Sequence, residues 1–174
     1  GDFLYNRSTL SEVFKQSPEA DIVYFDVMID YGDRQILGKM PRILRNSIFV
    51  EHEIWHQALI RKDLFSRFGK YDESFRLLGD YEFYLRTIVR GRVNTQYIEL
   101  TFAVFNTFGL GSKPENQALV KQERLRAQKK NLEFFQYYWS FRIKYFIIEF
   151  FLKPVLKNIL GADRLAKLKK ILGR

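Results

Sequence analysis

From Asp21 to Ile29 the chain reads Asp21-Ile-Val-Tyr-Phe-Asp-Val-Met-Ile29, a nearly continuous apolar run rich in β-branched and aromatic side chains. That pattern predicts a strand buried on both faces. Before it, Leu10, Val13 and Phe14 recur at helical spacing after Ser8, a suitable N-cap, so 8–17 is expected to form a short helix stopped by Pro18. The cluster Asp30-Tyr-Gly-Asp33 predicts a turn, with 35–45 as a loop or hairpin. Residues 61–69 suit a short helix closed by Gly69. Asp80 then precedes Tyr81-Glu-Phe-Tyr-Leu-Arg-Thr-Ile-Val-Arg-Gly91, which predicts a helix with an acidic cap and a glycine stop. Strand material returns over 93–105, a glycine-rich loop covers 107–114, and the pattern is helical from about 117 onward. Strand, helix and strand alternate in front and only helices follow. The expectation is an α/β fold, a mixed sheet with a helical, amphipathic C-terminal tail, divided into 1–112 and 113–174.

Composition sharpens this picture in three ways. With 174 residues, 47% of them apolar and 17% aromatic, the chain has ample material for a packed core. There is no Cys, which excludes disulfides, Cys-ligated zinc and thiolate nucleophiles and fits a reducing compartment. The net charge of +9 is lopsided: residues 1–112 carry fourteen Lys/Arg against fifteen Asp/Glu, whereas 113–174 carry fifteen against five. The first residue is Gly rather than Met, with no leader pattern behind it, so a piece of a longer chain is expected.

The basic tail calls for an anionic partner. Residues 134–152 hold ten Phe, Tyr or Trp, interrupted by Arg142, Lys144 and Glu149, so no uncharged apolar stretch is long enough to span a bilayer. Phe141, Tyr145, Ile148 and Leu152 share a helical face, and Leu165, Leu168 and Leu172 line another beside Lys167, Lys169 and Lys170. Trp139, Arg142, Lys144 and those three lysines are the residues expected at an anionic membrane surface. The alternative packs the aromatics on the body and leaves the charges solvated. Nucleic acid is not expected, because the aromatics cluster instead of interleaving with basic residues on a strand platform.

Few residues offer chemistry. His52-Glu-Ile-Trp-His56 is an H-E-x-x-H, which on a helix would grip zinc with two imidazoles one turn apart. A third ligand would have to be a carboxylate such as Glu73; the alternative is coincidental spacing. Asp80 leads a helix at a strand-to-helix corner and suits a general base, or an N-cap bonding the amides of Glu82 or Phe83, or both together. The loop Phe105-Asn-Thr-Phe-Gly-Leu-Gly-Ser112 offers backbone amides for a phosphate or sugar.

Five segments follow in order: Gly1-Asp-Phe-Leu-Tyr5, Pro18 to Asp26, Trp55-His-Gln-Ala-Leu-Ile-Arg-Lys-Asp-Leu-Phe65, Gly69-Lys-Tyr-Asp-Glu-Ser-Phe75 and Leu78-Gly-Asp-Tyr-Glu-Phe-Tyr-Leu-Arg86. Together they resemble the second half of a family 2 glycosyltransferase with the GT-A (Rossmann-like) fold, over roughly residues 1–130. The resemblance implies sugar transfer, with inversion, from a nucleotide-sugar donor to a glycan or lipid-linked acceptor, in cell-surface polysaccharide synthesis. It implies Asp80 as the base and Asp2 as the last acid of the motif that holds Mg²⁺ or Mn²⁺ against the donor diphosphate. His56 and Gln57 match a His-Gln pair on the acceptor side, and Glu82 and Arg86, on the helix after the base, are further acceptor-side candidates. A cytoplasmic enzyme, peripheral at the inner face of the membrane, is expected. The nucleotide-binding first half would precede Gly1, so this chain alone is expected to be inactive. Rival expectations are a non-catalytic membrane-surface module and an H-E-x-x-H zinc hydrolase.

Overall fold

The computed structural model describes residues 2–40, 54 and 57–133. His52, His56, Trp139, Arg142, Lys144, Lys167, Lys169 and Lys170 lie outside the described residues. The elements are β1 (Phe3–Leu4), α1 (Thr9–Lys15), β2 (Ile22–Asp30), β3 (Gln35–Gly38), β4 (Leu59–Ile60), α2 (Asp63–Phe68), α3 (Gly79–Tyr84), β5 (Thr95–Asn106) and α4 (Gln117–Asn131). The helix of α3 continues as a π-helical stretch over Leu85–Arg90.

Strands run in the order β1-β5-β2-β3, with β4 paired to the start of β2. β2 and β5 are parallel, while β1, β3 and β4 are antiparallel to their partners. The fold is therefore α/β with a mixed sheet, as the alternating pattern predicts. The first six residues of β2 are buried, as expected of a strand covered on both faces. On one face Val23 and Phe25 join Ile98, Phe102, Ala103 and Val13 of α1 in a core cluster. The rings of Phe25 and Phe102 stack at 4.3 Å. A second set of buried side chains, Tyr81, Phe83, Tyr84, Leu85, Ile88 and Val89, comes from α3 and its π-helical continuation. α4 packs on both parts of that helix.

Several local expectations need correction. In α1 it is Thr9 and Val13, one turn apart, that are buried; Phe14 is 64% exposed. Asp26 interrupts the apolar run of β2 and lies where the pairing with β5 shifts register on both sides. Its buried carboxylate accepts a hydrogen bond from the Met40 amide at 2.8 Å, so the bulge gives a charged group in the sheet a backbone donor. The first compact unit of the chain runs to Leu132 and includes α4.

Two glycines are dictated by space. Gly32, in the β2–β3 turn, has φ +87°, and a Cβ there would meet the Phe108 ring at 3.0 Å. Gly91 ends the π-helical stretch, where a Cβ would sit 2.6 Å from the Thr87 carbonyl oxygen and would collide with the Phe68 ring. Gly91→Ala must therefore displace backbone.

Candidate active site

In open α/β sheets ligands bind beyond the carboxyl ends of the parallel strands. Here that end is marked by Asp30 of β2, in register with Asn106 of β5. The Asp30 carbonyl accepts from both the amide (3.1 Å) and the hydroxyl (2.9 Å) of Thr107, which ties the loop after β5 to β2. Asp2, just before β1, joins the same end. One carboxylate oxygen accepts from the Asn106 amide at 2.9 Å and the other from the Gln57 side chain at 2.9 Å. Two residues singled out in the sequence, Asp2 and Gln57, are thus brought together from positions 55 apart.

A hard dication takes oxygen ligands, often with only one or two carboxylates beside phosphates and water. The exposed Asp2 carboxylate suits one such position. Among the described residues no group of three His, Cys, Asp or Glu could hold a metal ion. Within the loop after β5, the amides of Phe108, Ser112 and Lys113 donate to Asn106 Oδ1 and to the carbonyls of Gly109 and Leu110. Those three amides hold the loop's own turns.

Asp80 lies inside the first turn of α3 rather than at its cap. Leu78 holds the cap position, and the Asp80 carboxylate accepts from the adjacent Tyr81 amide at 2.8 Å. The residue is half-buried. Two tyrosines feel its charge. Burial first, then Asp80, raises the pKa of the Tyr71 phenol; burial, Asp80 and Tyr71 raise that of Tyr84. Both phenols accordingly keep their protons at neutral pH. The Tyr71 ring is held 5.1 Å from that of Phe83 and 5.6 Å from that of Phe65.

Glu82 and Arg86, expected on the acceptor side, form instead an internal clamp. Glu82 is fully buried and pairs with Arg86 at 2.9 Å, one turn away, and with Lys130 of α4 at 3.1 Å. Asn131 Nδ2 donates to the same carboxylate at 3.1 Å. The Arg86 guanidinium also donates to the carbonyls of Phe68, Gly69 (3.3 Å) and Lys70 (2.9 Å), gripping the end of α2 and the loop that follows. A carboxylate without exposed surface does not reach a substrate.

Sequence reasoning missed the residues of α4 that hold the Asp80 loop. Lys130 pairs with Asp72 at 2.8 Å, Arg126 donates to the Ser74 carbonyl at 2.8 Å, and buried Glu123 accepts from the amides of Arg76, Leu77 and Leu78. One signal was available: Glu123 is the single acid between Gln117 and Asn131, in an otherwise basic helix.

Three of these carboxyls titrate below their usual range. The hydrogen bonds from Lys130 and then Ser74 lower Asp72. For Glu82 burial pushes upward, but Arg86, Asn131 and Lys130 outweigh it; for Glu123 the three backbone amides do the same. The unfolded chain binds protons near 3.8 for Asp and 4.5 for Glu, while the folded chain resists them to lower pH. Stability from these groups is complete above those values and is lost as pH falls through the folded ones. The urea midpoint should stay flat from neutrality down to about pH 5.5 and fall in more acid solution. A midpoint that drops instead between pH 8 and 6 contradicts the assignment.

No protein-family model matches the chain. Over 112 residues it is 29% identical to PGL/p-HBAD biosynthesis glycosyltransferases of Mycobacterium bovis and Mycobacterium tuberculosis. The chain is thus similar to curated glycosyltransferases. The match takes in 62% of this chain and 43% of each relative, so the chain spans less than half the length of the curated proteins it matches. Among the described residues no helix is long and apolar enough to cross a membrane.

Proposed function

We propose that this chain is the acceptor-side part of an inverting, family 2-like glycosyltransferase of the GT-A type, acting from a nucleotide-sugar donor on a glycan or lipid-linked acceptor. The observation that carries the reading is the 112-residue similarity to glycosyltransferases. The placement of Asp80, half-buried in the first turn of a helix braced by α4, supports it.

In this reading the acceptor hydroxyl gives its proton to the Asp80 carboxylate as its oxygen attacks the anomeric carbon. The bond from that carbon to the diphosphate breaks on the opposite side, and the nucleoside diphosphate leaves with the electron pair. One Asp80 oxygen accepts from the Tyr81 amide at 2.8 Å, which helps to orient the carboxylate. Tyr71 and Tyr84, protonated at neutral pH, do not compete for the proton. Asp2, oriented by Gln57 and Asn106, would hold one position of a Mg²⁺ or Mn²⁺ ion. Such an ion, when bound, neutralises charge on the departing diphosphate. The donor-binding part would lie in the portion of the relatives that this chain does not match. The positive excess of residues 113–174 suits work at the anionic inner face of a membrane.

The test is release of nucleoside diphosphate by the full-length protein, offered UDP-, GDP- and dTDP-sugars with lysate-derived glycan and lipid acceptors. Acceptor-dependent release that requires Mg²⁺ or Mn²⁺ is expected. No release with any donor, from folded protein, sinks the proposal.

A further inference from the structure

We infer that Glu123 is a positioning residue for Asp80: from α4 it accepts from the three backbone amides that lead into α3, and so sets the angle at which the base is presented. The inference rests on the reading of Asp80 as the base.

The first amides of a helix have no partner within it, and Ser, Thr, Asp or Asn at the cap ordinarily supplies one. Here the cap position is Leu78, whose side chain cannot, and α3 starts with no local side-chain cap. The three consecutive amides just before the helical turn, those of Arg76, Leu77 and Leu78, converge on one distant carboxylate. Glu123 Oε1 accepts from Arg76 at 2.8 Å, and Oε2 from Leu77 at 2.9 Å and Leu78 at 3.0 Å. Glu123 is 3% exposed, so water does not substitute for it. Arg126 and Lys130, three and seven residues on, hold the Ser74 carbonyl and the Asp72 carboxylate from the same helix. The Arg126 guanidinium also lies 3.9 Å over the Phe75 ring. The loop is thereby fixed to one helix at Asp72, Ser74 and 76–78, and Asp80 follows two residues after the last of these contacts. A carboxylate that must meet an acceptor hydroxyl in line with a leaving group tolerates little displacement, since an error of about 1 Å costs roughly 100-fold in rate.

Glu123→Gln removes the charge and turns an NH₂ group toward at least one of the three amides. In the full-length protein it should speed hydrogen exchange at Arg76, Leu77 and Leu78 by about 10-fold or more. It should lower kcat for nucleoside diphosphate release about 10- to 100-fold, with donor KM changed less than about 3-fold. Gly91→Ala, whose steric conflict lies at the far end of the same helix, serves as the control. It should lower Tm but leave kcat within about 2-fold. Glu123→Asp keeps the charge but is one methylene too short for all three amides; it should fall between wild type and Gln, and it replaces Gln if that variant does not fold. Wild-type kcat in the Glu123 variants, or an equal loss in Gly91→Ala, overturns the positioning role. The two readings separate cleanly. An active Asp80→Asn removes the base and with it the catalytic half of this inference. An inactive Asp80→Asn beside a fully active Glu123→Gln overturns the inference alone.

Discussion

Asp80→Asn should cut the rate of sugar transfer by about 10²- to 10⁴-fold, the usual contribution of a general base. The substitution isolates basicity from shape. Asn has the same size and retains an oxygen to accept the 2.8 Å bond from the Tyr81 amide, so the first turn of α3 is kept. What it lacks is an oxygen that takes a proton at neutral pH. Thermal stability should therefore stay within about 0.5 kcal/mol of wild type, as for a half-exposed substitution that leaves packing alone. A second readout does not depend on activity. Burial is the larger cause of the raised Tyr71 pKa and the Asp80 charge the next, so removing that charge should bring the phenol part of the way back toward its ordinary value of 10.0 in a spectrophotometric titration. An Asn variant that transfers sugar at the wild-type rate dismisses Asp80 as the base, and an unchanged Tyr71 titration dismisses its placement.

Glu82→Ala should be the most damaging single change to stability, at about 3–5 kcal/mol for a buried ion pair deprived of one partner. The side chain is wholly buried, and its loss leaves Arg86, 15% exposed, and Lys130 without their shared counter-charge. Arg86 retains the carbonyls of Phe68, Gly69 and Lys70, which argues for the lower end of that range. The expected fall in Tm is on the order of 10 °C for a unit of this size. Glu82→Gln should cost less, because it preserves volume and one acceptor. A loss below about 1 kcal/mol in Glu82→Ala, by urea or thermal unfolding, would show that the pair contributes little net energy and that α3 and α4 are joined by apolar packing.

The two expectations that concern Glu82 and Arg86 failed for an instructive reason. At the head of a helix, two residues after a presumed base, an acid and an arginine one turn further along look like substrate contacts. Their spacing also fits an i,i+4 ion pair, and spacing does not tell which face of the helix is covered. Arg86 meets the chain again at Phe68–Lys70 and Glu82 meets it at Lys130 and Asn131, contacts made only when α2, α3 and α4 assemble. Asp2 and Gln57 met as neighbours although they are 55 positions apart, because the antiparallel pairing of β1 with β5 delivers Asp2 to the carboxyl end of the sheet.

Much of the local order was legible in the described residues. The apolar run of β2, the tight turn at Gly32, the short helix before Gly69 and the long helix beginning near Asp80 follow from side-chain periodicity and backbone sterics over a few residues, interactions that need no partner from elsewhere in the chain. The α/β class follows from their order. Assembly decided the rest: the pairing of β4 with β2, the burial of Glu82, the anchoring of the segment before α3 by Glu123 45 residues after Leu78, and the bond between Asp2 and the Asn106 amide across 104 positions. Each is a polar contact or strand pairing between distant segments. Its partner is chosen by how the elements pack and by the cost of leaving a buried polar group unmet, neither of which is encoded in neighbouring residues.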